Sequence, residues 1–345
     1  MNKYLILFGL LGILIISCYY SLVTGTYDVS NFQLIKALFN HDINSPIGLI
    51  LWNFRIPRLL TSLLVGGSLA IGGYILQTIT RNPIADAGLL GINSGAAFGS
   101  VFYYFIVGSY FIDGGQLQAI SLIIFGIVGA LFALLLNFFL SINTSGLSMA
   151  RFILNGIAIN MGFSAITTYF SLKINNDDYS RVNNWLQGSI SQSNWISVYQ
   201  IFPWVLIAFT LLLFSQNHLE LLRYSDSHLR SIGFSMSYWR LFFILLASIF
   251  ICTSVIVAGN VAFVGLIVPY ITLKFFKRNS KLLIPAIFIN GMSLVTFCDT
   301  FVKKIFAPNE LPLNSMIGII GIPYLVLIFI SNSTIDWKKN NAKNC

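Results

Sequence analysis

Ionisable side chains that could take part in chemistry are rare within the apolar parts of this sequence. The clearest is Asp299, which ends a long apolar run and is followed four residues later by Lys303. A carboxylate is costly inside a membrane, so it is a candidate for ion or proton coupling. The spacing of four also places both side chains on one helix face, where they can form a structural ion pair. The sequence leaves both interpretations open.

Two arginines, Arg55 and Arg58, flank Pro57 just before the second apolar run. Long basic side chains at the end of a membrane helix commonly anchor the helix at the lipid interface. Arginine also binds carboxylates through two parallel hydrogen bonds. The pair is therefore either a lipid anchor or a docking site for an acidic surface of an external protein.

Motifs for catalysis and nucleotide binding are absent from the sequence. It contains no GxxxxGK[ST], GxSxG or HExxH motif, and its three histidines are isolated. The four cysteines form no CxxC pair, and three of them lie in apolar runs, which is typical of small buried hydrophobic residues. We therefore expect no catalytic residue, no metal site, no cofactor and no enzyme activity.

The composition indicates that these residues belong to a polytopic membrane protein. Hydrophobic residues make up 56% of the 345 residues and charged residues only 9%, against about 25% charged in a soluble domain. Such a chain is predicted to be all-α, with about ten transmembrane helices in one domain that spans residues 1–345. Apolar runs long enough to cross, or nearly cross, about 30 Å of hydrocarbon fall near residues 4–24, 59–79, 89–111, 117–140, 150–172, 198–214, 241–258, 261–276, 282–299 and 313–331.

Lysine and arginine residues predict the orientation of these helices. With the N-terminus in the cytoplasm, 13 of the 20 basic residues fall on the inner side and 7 on the outer side. The positive-inside rule therefore places both termini in the cytoplasm. A polar external loop at about 173–197 and an internal segment of short amphipathic helices at about 216–240 are the two longest connections. The basic residues are scattered, so the net charge of +9 does not indicate nucleic-acid binding.

Small residues recur at every fourth position in two of the apolar runs. Gly91, Gly95 and Gly99 form overlapping GxxxG units, and Gly66 lies midway between Ser62 and Ala70. This spacing puts the small residues on one helix face and allows two helix backbones to approach closely. We expect these glycines to pack helices, a role that is compatible with lining a translocation path.

Several sequence blocks, in a fixed order, resemble a known transport family. They are RIPR, GGSLAIGGYILQ, RNPIADAGLLGINSGA, NWLQGS, DSHLRSIGFS, VAGNVAFVGLIVPY and ELPLNSMIGIIGIPY. Together they resemble the FecCD-type permeases for iron-siderophores and vitamin B12, which belong to the type II ABC importers. The resemblance implies a permease of the bacterial cytoplasmic membrane that imports a ferric siderophore, with cobalamin or haem as alternative substrates. An ion-coupled secondary transporter is the rival class.

The resemblance also implies partners and residue roles. The partners are membrane lipid, a second permease chain (identical or a sister chain), two ATPase subunits and an external substrate-binding protein. Docking of the binding protein falls to the outer basic residues Arg55, Arg58 and Lys303. Coupling to the ATPases falls to Leu222, Asp226, Leu229 and Gly233. The cytoplasmic gate falls to two turns, which hold Asn82, Pro83, Ile84, Met149 and Ala150.

Overall fold

A computed structural model gives the fold and describes residues 3–25, 29–40, 45–108, 115–143, 146–174, 183, 186–276, 281–306 and 311–323. Much of the predicted external loop, at 175–182 and 184–185, lies outside the described residues. The helices in the described ranges are α1 (Lys3–Val23), α2 (Asn31–Asn40), α3 (Pro46–Thr80), α4 (Ile92–Tyr103), α5 (Gly115–Ser141), α6 (Met149–Ser171), α7 (Trp195–Leu221), α8 (Asp226–Ser231), α9 (Met236–Ala258), α10 (Val264–Phe275), α11 (Leu283–Ile305) and α12 (Leu313–Pro323).

Each of the ten apolar runs overlaps one of these helices, and residues 109–111 and 324–331 of two runs lie outside the described residues. Among the described residues, seven helices are long and apolar enough to cross a membrane, namely α1, α3, α5, α6, α7, α9 and α11. The other three runs correspond to the shorter helices α4, α10 and α12. The predicted all-α membrane fold is confirmed.

Helix α3 begins earlier than the apolar run at 59–79 predicts. Ser45 caps its first turn and Pro46 is the first helical residue, an arrangement typical of helix N-termini. A π-helical turn, Ile50–Arg55, follows before the helix continues in regular α geometry. Arg55 and Arg58 therefore lie inside a longer helix and not at its start, because polar capping residues, and not hydrophobicity, set where the helix begins.

Helix α3 is the centre of the bundle. In its most apolar window 83% of the residues are buried, and it packs against α7, α9, α10 and α11. Glycines permit this crowding, because a Cβ atom on Gly66 would overlap the backbone carbonyl of Gly291 in α11. A Cβ atom on Gly73 would likewise overlap Gly265 in α10. Any movement of α3 is therefore passed to several neighbouring helices.

Helices α4 and α5 interlock through glycines of both helices. Gly95 and Gly99 of α4 lie against Gly129 of α5, so that the two backbones are in contact. Gly91 precedes α4 with a φ angle of 78°, a conformation that favours glycine. It connects α4 to the short 3₁₀ helix Ala87–Leu90.

Helices α1 and α7 lie at the periphery of the bundle. Only 11% of the most apolar window of α1 and 28% of that of α7 are buried. Their exposed residues include the large apolar side chains of Phe8, Ile15, Phe202 and Phe214. Such surfaces are suited to contact with lipid tails.

Two connections differ from the sequence prediction. Over 216–240, α7 continues to Leu221 and only the six-residue helix α8 precedes α9, so the prediction of several short helices is wrong. Hydrophobic residues dominate most of α7, and the helix continues through the polar residues up to Glu220 and ends at Leu221. Between α5 and α6, Ile142–Asn143 pairs with Gly146–Leu147 as a short antiparallel hairpin that the sequence did not predict.

Candidate functional site

The chain turns sharply where α3 ends, at what we call the Arg81 end of the bundle. Arg81 follows the last residue of α3 with a left-handed φ angle of 53°, which residues other than glycine rarely adopt. The side-chain oxygen of Asn82 then accepts a hydrogen bond from the N–H of Ile84 at 3.0 Å, as in an Asx turn. The turn also holds Pro83 and leaves the Ile84 side chain 45% exposed.

Helix α8 lies beside this turn as a short element with well-defined ends. The Ser225 side chain caps its first turn by accepting a hydrogen bond from the N–H of His228. The side chain of Leu229, within α8, is fully buried. Gly233, with a φ angle of 72°, ends it, and the N–H of Phe234 donates to the Leu229 carbonyl at 3.0 Å.

Replacing Gly233 with alanine is expected to lower the free energy of unfolding by roughly 1–2 kcal/mol, because a left-handed conformation is costly for a residue with a Cβ atom. In the part of the chain that the structure describes, no atom lies within 4 Å of the position that this Cβ atom would occupy, so backbone strain accounts for the effect. Asparagine tolerates this conformation and is expected to recover most of the loss. Thermal unfolding of the purified variants in detergent measures the difference, and equal midpoints for Gly233→Ala and wild type would contradict it.

Asp226 joins α8 to two other helices. Its Oδ1 atom lies 2.7 Å from Nη2 of Arg81 and 2.8 Å from Nη2 of Arg240. Arg81 also donates from Nε to the Leu222 carbonyl at 2.9 Å. Because Arg81 follows α3 and Arg240 belongs to α9, one carboxylate holds α8 against both helices. We call these three charged residues the Asp226 bridge.

The Asp226 bridge is ionised at neutral pH. Burial by itself raises the pKa of the Asp226 carboxyl group, but the hydrogen bonds and charges of Arg81 and Arg240 outweigh burial and hold the pKa below its ordinary value. A carboxyl group with a lowered pKa in the folded state stabilises that state above its unfolded pKa of about 3.9. The contribution is lost as the pH falls through the folded pKa. Only strongly acidic conditions therefore weaken the bridge.

A second contact fixes the segment between α7 and α8 to the central helix. Arg223 donates from Nη2 to the hydroxyl of Tyr74 in α3 at 2.9 Å, and its guanidinium carbon lies 5.5 Å from the centre of the Tyr74 ring. The adjacent Leu222 is buried in the hydrophobic core. The hydrogen bond and the ring contact of Arg223 therefore both join this segment to α3.

A cavity of about 630 Å³ opens at the Arg81 end. Both predicted gate turns reach this cavity. Arg81, which directly precedes Asn82, lines it, and so does Met149, the first residue of α6 and the neighbour of the exposed Ala150. The Asp226 bridge forms another part of its wall. The structure therefore brings the predicted gate turns and the predicted coupling segment to one cavity.

The opposite end, the Arg55 end, holds a buried ion cluster. Arg58 contacts Asp299 from Nε at 3.0 Å and from Nη2 at 2.8 Å, and Nζ of Lys303 lies 2.8 Å from Oδ2 of Asp299. The side chains are 11% exposed for Arg58, 7% for Lys303 and 3% for Asp299. The ion pair predicted from the spacing of Asp299 and Lys303 is therefore present, and Arg58 joins it. We call this group the Asp299 triad.

Arg55 is also directed into the protein. Its Nη1 atom donates to the carbonyls of Leu22 and Val23, the latter at 3.0 Å, so it satisfies acceptors at the end of α1. Like the Asp299 triad, it is largely buried. The three basic residues expected to dock an external protein thus make contacts within the chain, and their docking role stays a prediction.

The sequence did not single out Arg81, Arg240, Arg223 or Tyr74 as partners of the coupling segment. One signal was available, since several arginines surround the single aspartate of 216–240. That pattern does not identify which arginine binds it, because Arg81 and Asp226 are 145 residues apart in the chain.

Metal-binding clusters are absent from the described part of the chain, where no three His, Cys, Asp or Glu residues lie close enough to hold an ion. Cys18, Cys252 and Cys298 are free thiols. The charged clusters at both ends of the bundle are instead ion pairs that join helices.

Comparison with known proteins identifies the family. The model of the FecCD transport family matches residues 13–331 of the 345-residue chain. This chain belongs to the FecCD transport family. The resemblance inferred from the ordered sequence blocks is confirmed.

Two curated relatives of this FecCD chain come from Bacillus subtilis (strain 168). The iron-uptake system permease protein FeuC is 34% identical over 320 residues, which cover 92% of this chain and 95% of FeuC. The iron(3+)-hydroxamate import system permease protein FhuG is 30% identical over 331 residues, which cover 95% of this chain and 98% of FhuG.

A solved structure shares the fold of this FecCD chain. It is an ABC transporter assigned to the metal-chelate type, in an inward-facing conformation. It aligns with a TM-score of 0.81 and 26% identity over 95% of this chain and 99% of the solved chain. The helix arrangement described above is therefore that of an ABC transporter membrane subunit.

Proposed function

We propose that the chain is the permease subunit of an ABC importer that moves a ferric siderophore across the bacterial cytoplasmic membrane. The observation that carries the proposal is the near full-length likeness to FeuC and FhuG, which are named for iron uptake and for import of iron(3+)-hydroxamate. Ferric hydroxamates are siderophore complexes, and the iron is cargo here. Cobalamin and haem are the alternative substrates.

The Arg81 end faces the cytoplasm in this proposal and meets two ATPase subunits. The excess of 13 basic residues on this side over 7 on the other supports this orientation, with both termini in the cytoplasm. Helix α8 lies at this end and presents exposed polar side chains, while Leu222 and Leu229 seat the segment on the bundle. ATP hydrolysis takes place on the ATPase subunits, and the permease itself performs no catalysis.

Motion of α8 reaches the membrane helices through its polar contacts. The Asp226 bridge connects α8 to α3 and α9, and Arg223 adds a contact to Tyr74 of α3. Because α3 packs closely against four helices, a shift of α8 moves a packed group of helices and not a single turn. Such rigid-body motion is a common basis of alternating access.

A second permease chain packs against α6. Only 22% of the most apolar window of α6 is buried, yet its exposed face carries the small residues Ala158, Gly162 and Ala165. Small residues mark faces where membrane helices meet. They lie among the exposed side chains of Leu154 and Met161, and this mixed face supports a protein neighbour, and a border of the translocation path, at α6.

An external substrate-binding protein docks at the Arg55 end. The Asp299 triad and Arg55 together hold three basic residues and one carboxylate, which leaves two positive charges near this surface. A positive field there attracts acidic residues on a partner before contact is made. Arg55, Arg58 and Lys303 contribute through this field.

Replacing Asp226 with asparagine is expected to uncouple the transporter. The amide keeps the shape of the side chain but loses the charge that holds Arg81 and Arg240. We expect substrate uptake per ATP hydrolysed to fall by about fivefold or more, the range of typical coupling energies, while ATP hydrolysis continues. Proteoliposomes that contain the whole transporter give this ratio, with Asp226→Glu as the charge-retaining control. An unchanged ratio in Asp226→Asn would contradict the coupling role.

Co-purification tests the proposed assembly. The tagged chain, expressed with an ABC-type ATPase and a FecCD-family permease from the same organism, is expected to form a complex of two permease chains and two ATPase subunits. Native mass spectrometry gives the stoichiometry. A chain that is purified without any ATPase, although the ATPase is expressed and folded, would contradict the proposal.

A further inference from the structure

The cavity at the Arg81 end, where the predicted gate turns and the predicted coupling segment meet, is positively charged. Its wall includes three arginines, Arg81, Arg230 and Arg240, but one carboxylate, Asp226. The wall therefore carries a net charge of +2. An excess of this kind attracts an anionic group from outside the chain.

Arg240 has an unused hydrogen-bond donor in this wall. The residue is 92% buried, since 8% of its surface is exposed, and its Nη2 atom is bound to Asp226. Its buried Nε–H, however, has no acceptor among the described residues. A buried donor without an acceptor costs about 1–3 kcal/mol. An acceptor that enters the cavity removes this cost.

Arg230 adds an exposed cation at the same place. It lies on α8, is exposed, and forms no ion pair with another residue in the described ranges. Arg230 and Arg240 thus supply hydrogen-bond donors to one cavity, one from its exposed edge and one from its buried wall. Arginine donors are well suited to carboxylates.

The size and position of the cavity indicate what enters it. A volume of about 630 Å³ accommodates several side chains and not just one ion. The cavity is continuous with α8 and with the turn before α6, so a protein that contacts α8 also covers the cavity. Polar side chains of Thr80, Ser148 and Ser237 line the remaining wall, as expected for a polar protein surface.

We propose that this cavity receives an acidic loop of the ATPase subunit, whose carboxylates pair with Arg230 and with Nε–H of Arg240. The inference rests on the proposed pairing with an ATPase and adds the surface and chemistry of that contact. Arg240 then binds two carboxylates, that of Asp226 through Nη2 and that of the ATPase loop through Nε–H. The ATPase is thereby joined to α9 as well as to α8.

The test measures ATPase binding to the permease pair in nanodiscs of phosphatidylcholine, which contain no anionic lipid. Arg230→Glu reverses an exposed charge without breaking an ion pair among the described residues, and is expected to weaken binding by about tenfold or more. Lys281→Glu makes the same change in charge at an exposed site of the described chain outside the cavity wall. This control is expected to retain wild-type affinity within about threefold.

Charge exchange then identifies the partner group. One glutamate or aspartate of the ATPase, changed to lysine, is expected to restore binding to Arg230→Glu and to weaken binding to the wild-type permease. Equal effects of Arg230→Glu and Lys281→Glu, or the lack of any restoring acidic position, would overturn the inference. Wild-type permease that does not bind the ATPase at all would instead contradict the proposed function.

Discussion

Asp299→Ala is expected to lower the free energy of unfolding by about 3–5 kcal/mol, the cost of removing one member of a buried ion cluster. In the Asp299 triad, Arg58 and Lys303 both depend on this carboxylate, which is 3% exposed. Its loss leaves two cations close together within the bundle. Thermal and denaturant unfolding in a mild detergent, together with the yield of folded protein, measure the effect.

The chain contains a matched control for this prediction. Asp226 also accepts from two basic residues, but its side chain is 40% exposed and that of Arg81 is 33% exposed, so water replaces part of the lost contact and only Arg240 is left with a buried donor. Asp226→Ala is therefore expected to cost less than Asp299→Ala, about 1–3 kcal/mol. Equal losses in the two variants would show that burial does not determine the role of the Asp299 triad. Replacement of all three members with apolar residues is expected to recover part of the loss.

Gly66→Ala and Gly99→Ala are expected to lower the free energy of unfolding by about 1–3 kcal/mol each, because extra volume must be forced into a close-packed contact. In both cases the new Cβ atom meets a backbone carbonyl of the facing helix, which cannot rotate away as a side chain can. The two variants disturb different contacts, α3 with α11 and α4 with α5. Thermal unfolding midpoints of the purified proteins measure the effect.

Gly12→Ala is the matched control for the glycine contacts. Gly12 also lies in a membrane helix, but no atom of the described residues is within 4 Å of the position of its Cβ atom. Alanine is the better helix former by roughly 0.5–1 kcal/mol, so this variant is expected to equal or exceed the wild type in stability. A loss at Gly12 as large as that at Gly66 would mean that helix packing is not the cause.

The membrane helices could be predicted from the sequence because one physical property determines them. About twenty apolar residues are needed to cross the hydrocarbon layer, and the ten runs show this directly. The start of α3 was missed because Ser45 and Pro46 determine it through capping and backbone geometry. That error placed Arg55 and Arg58 at a helix end, where they would be free, while both lie inside the helix with buried contacts.

Partners across the fold were harder to predict than helices. Spacing alone was enough to find the ion pair of Asp299 with Lys303, because both residues lie on one helix. The same argument fails for Arg58 with Asp299, which are 241 residues apart. Spacing likewise identified Gly66 and Gly95 as small residues of a contact face, but Gly291 and Gly129 opposite them follow only from the packed bundle.

Uptake of a radiolabelled ferric hydroxamate tests the proposed function most directly. Proteoliposomes would contain the permease pair and the ATPase subunits, with the binding protein outside and ATP enclosed on the ATPase side. We expect uptake that requires ATP, every subunit and the binding protein, and that continues when the proton gradient is abolished. Uptake by the permease alone, without ATP and lost when the proton gradient is abolished, would contradict the proposal and establish an ion-coupled carrier.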